Sequence, residues 1–215
     1  MKLFVKFTFA LAMAAGLSAC ASASSSDDAD GALVAAENLP DNHATAIFAM
    51  GCFWCAESDF EKVEGVVDVV SGYTGGTTEN PTYEAVTYAN TGHYEAVLVT
   101  YDTNVLNYSD LLSVFWRNVD PFDARGQFCD KGSSYLAAIF PESAEEIELA
   151  EASKTRWTEE FGQELTTAIV DRSEFYLAED YHQDYYIKNP IRYSYYRTAC
   201  RRDARLEAVW GGVEE

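Results

Sequence analysis

Basic side chains are scarce in this chain of 215 residues: 15 Lys and Arg stand against 35 Asp and Glu, for a formal net charge of −20. That balance excludes nucleic acid as a partner, because phosphate binding needs clustered cations. The acidity serves solubility and sets a negative field that opposes any thiolate, so a reactive cysteine must draw on local geometry. Histidine is scarcer still. His43, His93 and His182 show no tight ligand spacing with the cysteines, so no metal is expected; His93 and His182 are read as structural hydrogen-bonding groups. There is no internal repeat, and the length suits one domain with a substantial core.

The amino terminus reads as an export signal. Met1-Lys2-Leu3-Phe4-Val5-Lys6 is a short basic start, residues 7–15 are apolar but too few to span a membrane, and Leu17-Ser18-Ala19-Cys20 closes the segment. Small residues before a cysteine resemble the bacterial lipobox, which would make Cys20 the lipidated first residue of the mature chain. Plain cleavage near Ala19 is the alternative. Residues 1–19 are thus read as a lipoprotein-type signal peptide and residues 20–41, rich in Ser, Ala and Asp, as a flexible tether. Residues 42–215 form the catalytic domain. The expected location is the bacterial envelope, lipid-anchored and facing the periplasm, with the outer membrane favoured by Ala21 and Ser22 after Cys20.

Strands are expected at 44–50, within 63–73, at 94–101, 135–140 and 165–171. Helices are expected from Cys52 to Lys62, from Pro81, and over 108–119, 143–161 and 202–210. Residues 72–76 and 120–134 read as loops. Residues 174–197 are dense in Tyr without clear periodicity, and most of their hydroxyls are expected at the surface. Alternating helices and strands imply an α/β (α+β) two-layer sandwich, one mixed sheet with helices packed on it.

The chemistry concentrates at Gly51-Cys52-Phe53-Trp54-Cys55. The apolar strand before it delivers Cys52 to a helix N-terminus, where free N–H groups and positive potential favour the thiolate. Phe53 and Trp54 set two large rings beside the sulfur, suited to a small apolar substrate group. With Cys20 lipidated, four cysteines remain, Cys52, Cys55, Cys129 and Cys200, enough for two structural bridges in an exported protein. Cys52 and Cys55 lie too close together for staples, and reversible redox use fits them better.

Six ordered motifs carry a resemblance over about residues 44–211: Gly51-Cys52-Phe53-Trp54, Gly72-Tyr73-Thr74-Gly75-Gly76, Asn80-Pro81-Thr82-Tyr83, Thr91-Gly92-His93-Tyr94-Glu95, Asp130-Lys131-Gly132-Ser133-Ser134-Tyr135 and Ala178-Glu179-Asp180-Tyr181-His182-Gln183. Together they resemble the peptide methionine-S-sulfoxide reductase family, class A, with its ferredoxin-like fold. The resemblance implies Cys52 as nucleophile on the sulfoxide sulfur and Glu95 as acid, its pKa raised by burial. It further implies Tyr83 and Tyr135 as phenol donors to the sulfoxide oxygen, Asp130 as a residue ordering the pocket, and Phe53 and Trp54 as the seat for the substrate methyl. Cys52 would become a sulfenic acid, condense with a resolving thiol, and be reset by an external thioredoxin-type reductant, with no bound cofactor. Cys200 is expected as the resolving cysteine, with Cys55 the nearer rival and Cys129 the third. The protein is read as a monomer that repairs methionine sulfoxide in exported proteins and touches the membrane only through its lipid.

The chain departs from the family pattern at Cys55, where many relatives carry glycine, at Gly126-Gln127-Phe128-Cys129 before Asp130, at Leu136, and at Arg201 after Cys200. Two rival functions stay open on sequence. A periplasmic thiol-disulfide oxidoreductase would use Cys52 and Cys55 and leave Glu95 dispensable. A non-enzymatic surface lipoprotein would have no free thiol.

Overall fold

The structure, a computed structural model, describes residues 39–213. The signal peptide, Cys20 and nearly all of the tether lie outside the described residues.

Six strands form one mixed sheet in the order β7-β6-β1-β3-β2-β8. Its centre is the antiparallel trio β1 (His43–Met50), β3 (Tyr94–Asp102) and β2 (Val66–Thr74). On the outer side of β1, β6 (Ala137–Phe140) runs antiparallel. Beyond it, β7 (Ala168–Ile169) adds the one parallel pairing of the sheet. Alternation splits these strands between two faces. Phe48, Met50, Val97, Val99 and Ile139 point to one side, where helices bury them. Ile47, Ala49, Ala96, Leu98, Ala138 and Phe140 point to the other, where Phe175 and Val170 of an irregular segment cover them. A two-layer mixed sandwich is what the alternation of elements implied.

Helices make the covering layer. α1 (Phe53–Phe60) packs on β2 and β3. α2 (Tyr83–Tyr88) is short and is capped by the Thr82 hydroxyl. α3 (Tyr108–Arg117) starts with a reciprocal Asn107–Asp110 capping box and buries Leu111, Leu112, Phe115 and Trp116. α4 (Ala144–Phe161) lies against α3, capped by Ser143 and ended by Gly162 at φ 61°.

Three expectations need correction. The strand expected at 165–171 is reduced to the two residues of β7. Tyr135 does not open a strand; it ends a 3-10 turn (Ser133–Tyr135) ahead of β6. The loop at 120–134 holds a small hairpin of β4 (Gly126–Gln127) and β5 (Asp130–Lys131). The Tyr-dense tail is ordered as β8 (Tyr176–Leu177) on the edge of β2, then α5 (Tyr185–Lys188) and α6 (Pro190–Ala199). α7 (Arg202–Trp210) follows as expected.

Candidate active site

Gly51 links β1 to α1 at φ +80°, and a Cβ there would sit 2.5 Å from Gln127 Cβ, so only glycine allows the turn and the approach of the 120–134 segment. The next residue, Cys52, is the N-cap of α1. It is 6% exposed, at the floor of a site ringed by the half-buried Trp54, Tyr83, Asp130, Tyr135 and Tyr196.

Glu95 reaches this floor from the sheet. It pairs with Tyr73 in the β2–β3 ladder and shares a face with Val97 and Val99. Strand alternation therefore aims its carboxylate under α1, away from solvent. Its Oε2 accepts the Phe53 backbone N–H at 3.1 Å. That bond favours the ionised form, but burial outweighs it and pushes the carboxyl up to about 8. Tyr135 lies beside Glu95 and Tyr83, and burial together with the Glu95 charge pushes its phenol up, so carboxyl and phenols form one cluster. Asp130 is fixed by the Tyr196 hydroxyl, which also lies beside Cys52.

The aromatic wall is built by the tail. Trp54 stacks on Tyr185 with centroids 3.7 Å apart and 7° between planes, and its indole N–H donates to His182 Nδ1 at 3.0 Å. Phe53 is fully buried against Tyr73, Tyr83 and His182. Glu179 accepts from the Tyr73 hydroxyl and from the Tyr83 backbone N–H, each at 2.8 Å. His182 therefore carries one of the two structural bonds expected of the histidines, and His93 carries the other by bonding Thr78 O at 2.7 Å. The tail tyrosines were expected mostly as surface packing; Tyr185, Tyr193 and Tyr196 instead line the site or its base. One signal was available, since His182 follows Glu179 in a motif rich in hydrogen-bonding groups.

The cysteines differ most from expectation. Cys129 and Cys200 are bonded to each other across a sequence separation of 71, so Cys200 is not a free thiol. Cys52 and Cys55 are the free cysteines among the described residues, and each lies close enough to shift the protonation of the other. The helix end was expected to favour the Cys52 thiolate. Burial wins, reinforced by Cys55 and the carboxylates of Glu95 and Asp130, and it pushes the Cys52 thiol up. Cys55 moves the other way, to about 7, because the adjacent Cys52 thiol and then the nearby guanidiniums of Arg202 and Arg197 favour its thiolate.

Cys129, Asp130 and Cys200 lie close enough to suggest a ligand set, but both sulfurs are consumed by the bridge. Glu57, Glu61 and Asp184 form the other acidic group among the described residues, and backbone, tyrosine and lysine donors already serve it.

Comparison with known proteins agrees with this geometry. The family model described as "Peptide methionine sulfoxide reductase" matches residues 44–213. The MsrA 2 protein of Caulobacter vibrioides is 52% identical over 169 residues, which is 78% of this chain and 86% of that one. The MsrA of Bacillus subtilis is 51% identical over 168 residues, 77% of this chain and 95% of the relative. Among solved structures, reduced Mxr1 from Saccharomyces cerevisiae superposes with a TM-score of 0.68 at 29% identity, covering 74% of this chain and 93% of that one. Methionine sulfoxide reductase A of Corynebacterium diphtheriae gives 0.62 at 30% identity, over 70% and 77%. This chain belongs to the peptide methionine sulfoxide reductase family, class A, and is an oxidoreductase that reduces methionine sulfoxide.

Proposed function

We propose that the enzyme reduces the S epimer of methionine sulfoxide, free or within proteins, through Cys52, and that Cys55 is the resolving thiol. Cys52 passes its proton to the Cys55 thiolate and its sulfur attacks the sulfoxide sulfur, while Glu95 gives its proton to the oxygen, which Tyr83 and Tyr135 hold as charge develops. Methionine departs and Cys52 keeps the oxygen as a sulfenic acid. The Cys55 sulfur then displaces that hydroxyl, closing a Cys52–Cys55 disulfide and releasing water. A thioredoxin-type dithiol reduces this bond.

The observation that carries this reading is the buried, proton-holding carboxyl of Glu95 at the tip of the helix that begins with Cys52. What supports Cys55 over Cys200 is that Cys52 and Cys55 are the two free thiols among the described residues and lie side by side, while Cys200 is engaged by Cys129. Two free thiols also count against the non-enzymatic lipoprotein. The test is turnover of the separated sulfoxide epimers with dithiothreitol. Reduction of the S epimer alone, lost in Cys52→Ser, is expected; activity retained in Cys52→Ser would overturn the reading.

For the chain as a whole we propose export, lipidation at Cys20 and a tether through residue 41 that presents the enzyme to the periplasm, where it repairs exported proteins. The composition of residues 1–41 supports it. Metabolic labelling with palmitate should mark the wild type and not Cys20→Ala; equal labelling of both, or of neither, would contradict the anchor.

A further inference from the structure

Behind Cys55 lies a buried charge cluster that the sulfoxide-reducing step does not use. Asp59, one turn along α1 from Cys55, takes Arg197 of α6 at 2.8 Å and Arg202 of α7 at 3.5 Å. Arg202 is 2% exposed, donates to the carbonyls of Met50 and Asn118, lies over the Phe128 ring, and leaves its Nε–H without a partner. Arg197 also holds Asp203, but that carboxylate is 67% exposed and well screened. Two largely buried guanidiniums thus face one largely buried carboxylate at contact distance, and the next acid in reach of Arg202, Asp130, is engaged by Tyr196, so positive charge is in surplus behind Cys55.

Such a surplus is costly unless a neighbouring group carries the missing negative charge. Cys55 is placed to carry it. It is 1% exposed and is packed by Tyr185 and Tyr193, the latter bonded through its hydroxyl to Arg197. The charged and titratable groups around it are Cys52 and Asp59 of α1, Glu95 of β3, Tyr193 and Arg197 of α6, and Arg202 of α7. The carboxyl of Glu95 is protonated near neutrality and the phenol of Tyr193 is pushed up by burial, so neither competes for the negative charge.

The geometry points to Arg197 and Arg202 as positioning residues that keep the negative charge of the thiol pair on Cys55, so that an incoming reductant cleaves the Cys52–Cys55 disulfide at Cys52 and expels Cys55. This rests on that disulfide forming. The thiolate of an external dithiol attacks Cys52 Sγ, the sulfur facing the mouth. The S–S bond breaks, Cys55 leaves with the bonding pair as a thiolate beside the two guanidiniums, and a mixed disulfide joins the reductant to Cys52. The second thiol of the reductant then displaces Cys52, which takes up a proton from solvent. A thiol of lower pKa leaves faster, so the arginines set the polarity of the disulfide.

The wild-type protein oxidised by one equivalent of methionine sulfoxide is treated with a thioredoxin variant that keeps only its nucleophilic cysteine, quenched in acid and mapped by mass spectrometry. An adduct on Cys52 is expected; an adduct on Cys55 would overturn the inference. Absence of a Cys52–Cys55 bond before the reductant is added would instead overturn the reading it rests on. The second arm follows thiolate absorbance against pH in Cys52→Ser, where Cys55 is the one free thiol among the described residues. Adding Arg197→Gln should raise the midpoint by about one unit and cut the thiolate fraction at neutrality about fivefold, while Arg197→Lys should restore most of it. An unmoved midpoint in Arg197→Gln would show that the guanidinium does not govern this sulfur.

Discussion

The Phe53 amide donates to Glu95 Oε2 across 3.1 Å, tying the strand that carries the acid to the first turn of the helix that carries the nucleophile. Two elements far apart in sequence meet there, and the acid and the thiol are held in one register by the β1–β3 ladder and the Gly51 turn.

Glu95→Gln should slow single-turnover sulfenic acid formation by about 10² to 10⁴, the range for a lost general acid, with substrate affinity largely kept. The wild-type rate of that step should fall as pH rises through about 8, where the carboxyl gives up its proton. Stopped-flow Trp fluorescence across pH would check both. An unchanged single-turnover rate in Glu95→Gln would assign the proton to another group.

Tyr185→Ala removes the ring on which Trp54 stacks. We expect KM for a methionine sulfoxide peptide to rise several-fold with a smaller change in kcat, as for a loss of ground-state and transition-state binding alike. A fall in kcat alone would place Tyr185 in the chemistry and not in the seat.

Gly51→Ala forces a Cβ onto a backbone at φ +80° and to 2.5 Å from Gln127. It should lower stability by more than about 1 kcal/mol and displace Cys52, seen as a lower urea midpoint together with slower alkylation-sensitive turnover.

The expected elements with a strong apolar pattern are present: β1 is an unbroken apolar run from Ala46 to Met50, and β3, α3 and α4 each bury an apolar face. The stretch at 174–197 was illegible because tyrosine is both apolar and polar, so β8, α5 and α6 left no period to read. Glu95 on an alternating strand looked as much like a solvent residue as an acid; only packing decides which face is covered. The Cys129–Cys200 pairing spans 71 residues and depends on where α6 ends. The burial of Arg202 was equally hidden, since its partners come from β1, α1 and the end of α3.

Glu57 offers a stability test independent of activity. It is 1% exposed, and burial raises its carboxyl from 4.5 to about 7. The native state then holds a proton that the unfolded chain releases, so over that window rising pH favours unfolding. Relative to Glu57→Gln, the wild-type urea midpoint should fall as pH rises from about 5 to about 7.5. A parallel pH dependence in the two proteins would show that Glu57 does not hold that proton.

The Cys129–Cys200 bridge ties the Asp130 hairpin to the end of α6. By loop-closure entropy over 71 residues its loss in Cys129→Ser/Cys200→Ser costs about 4 kcal/mol. The first-turnover disulfide should still form in that double variant. Loss of it, with the protein folded, would return the resolving role to Cys200.

The central claim is that Cys52 attacks and Cys55 resolves, and the most direct measurement is peptide mapping by mass spectrometry of the wild-type protein, reduced at Cys52 and Cys55, after one equivalent of methionine-S-sulfoxide. The account predicts a new Cys52–Cys55 bond with Cys129–Cys200 intact. A Cys52–Cys200 bond, or two free thiols left at Cys52 and Cys55 after methionine has been released, would contradict it.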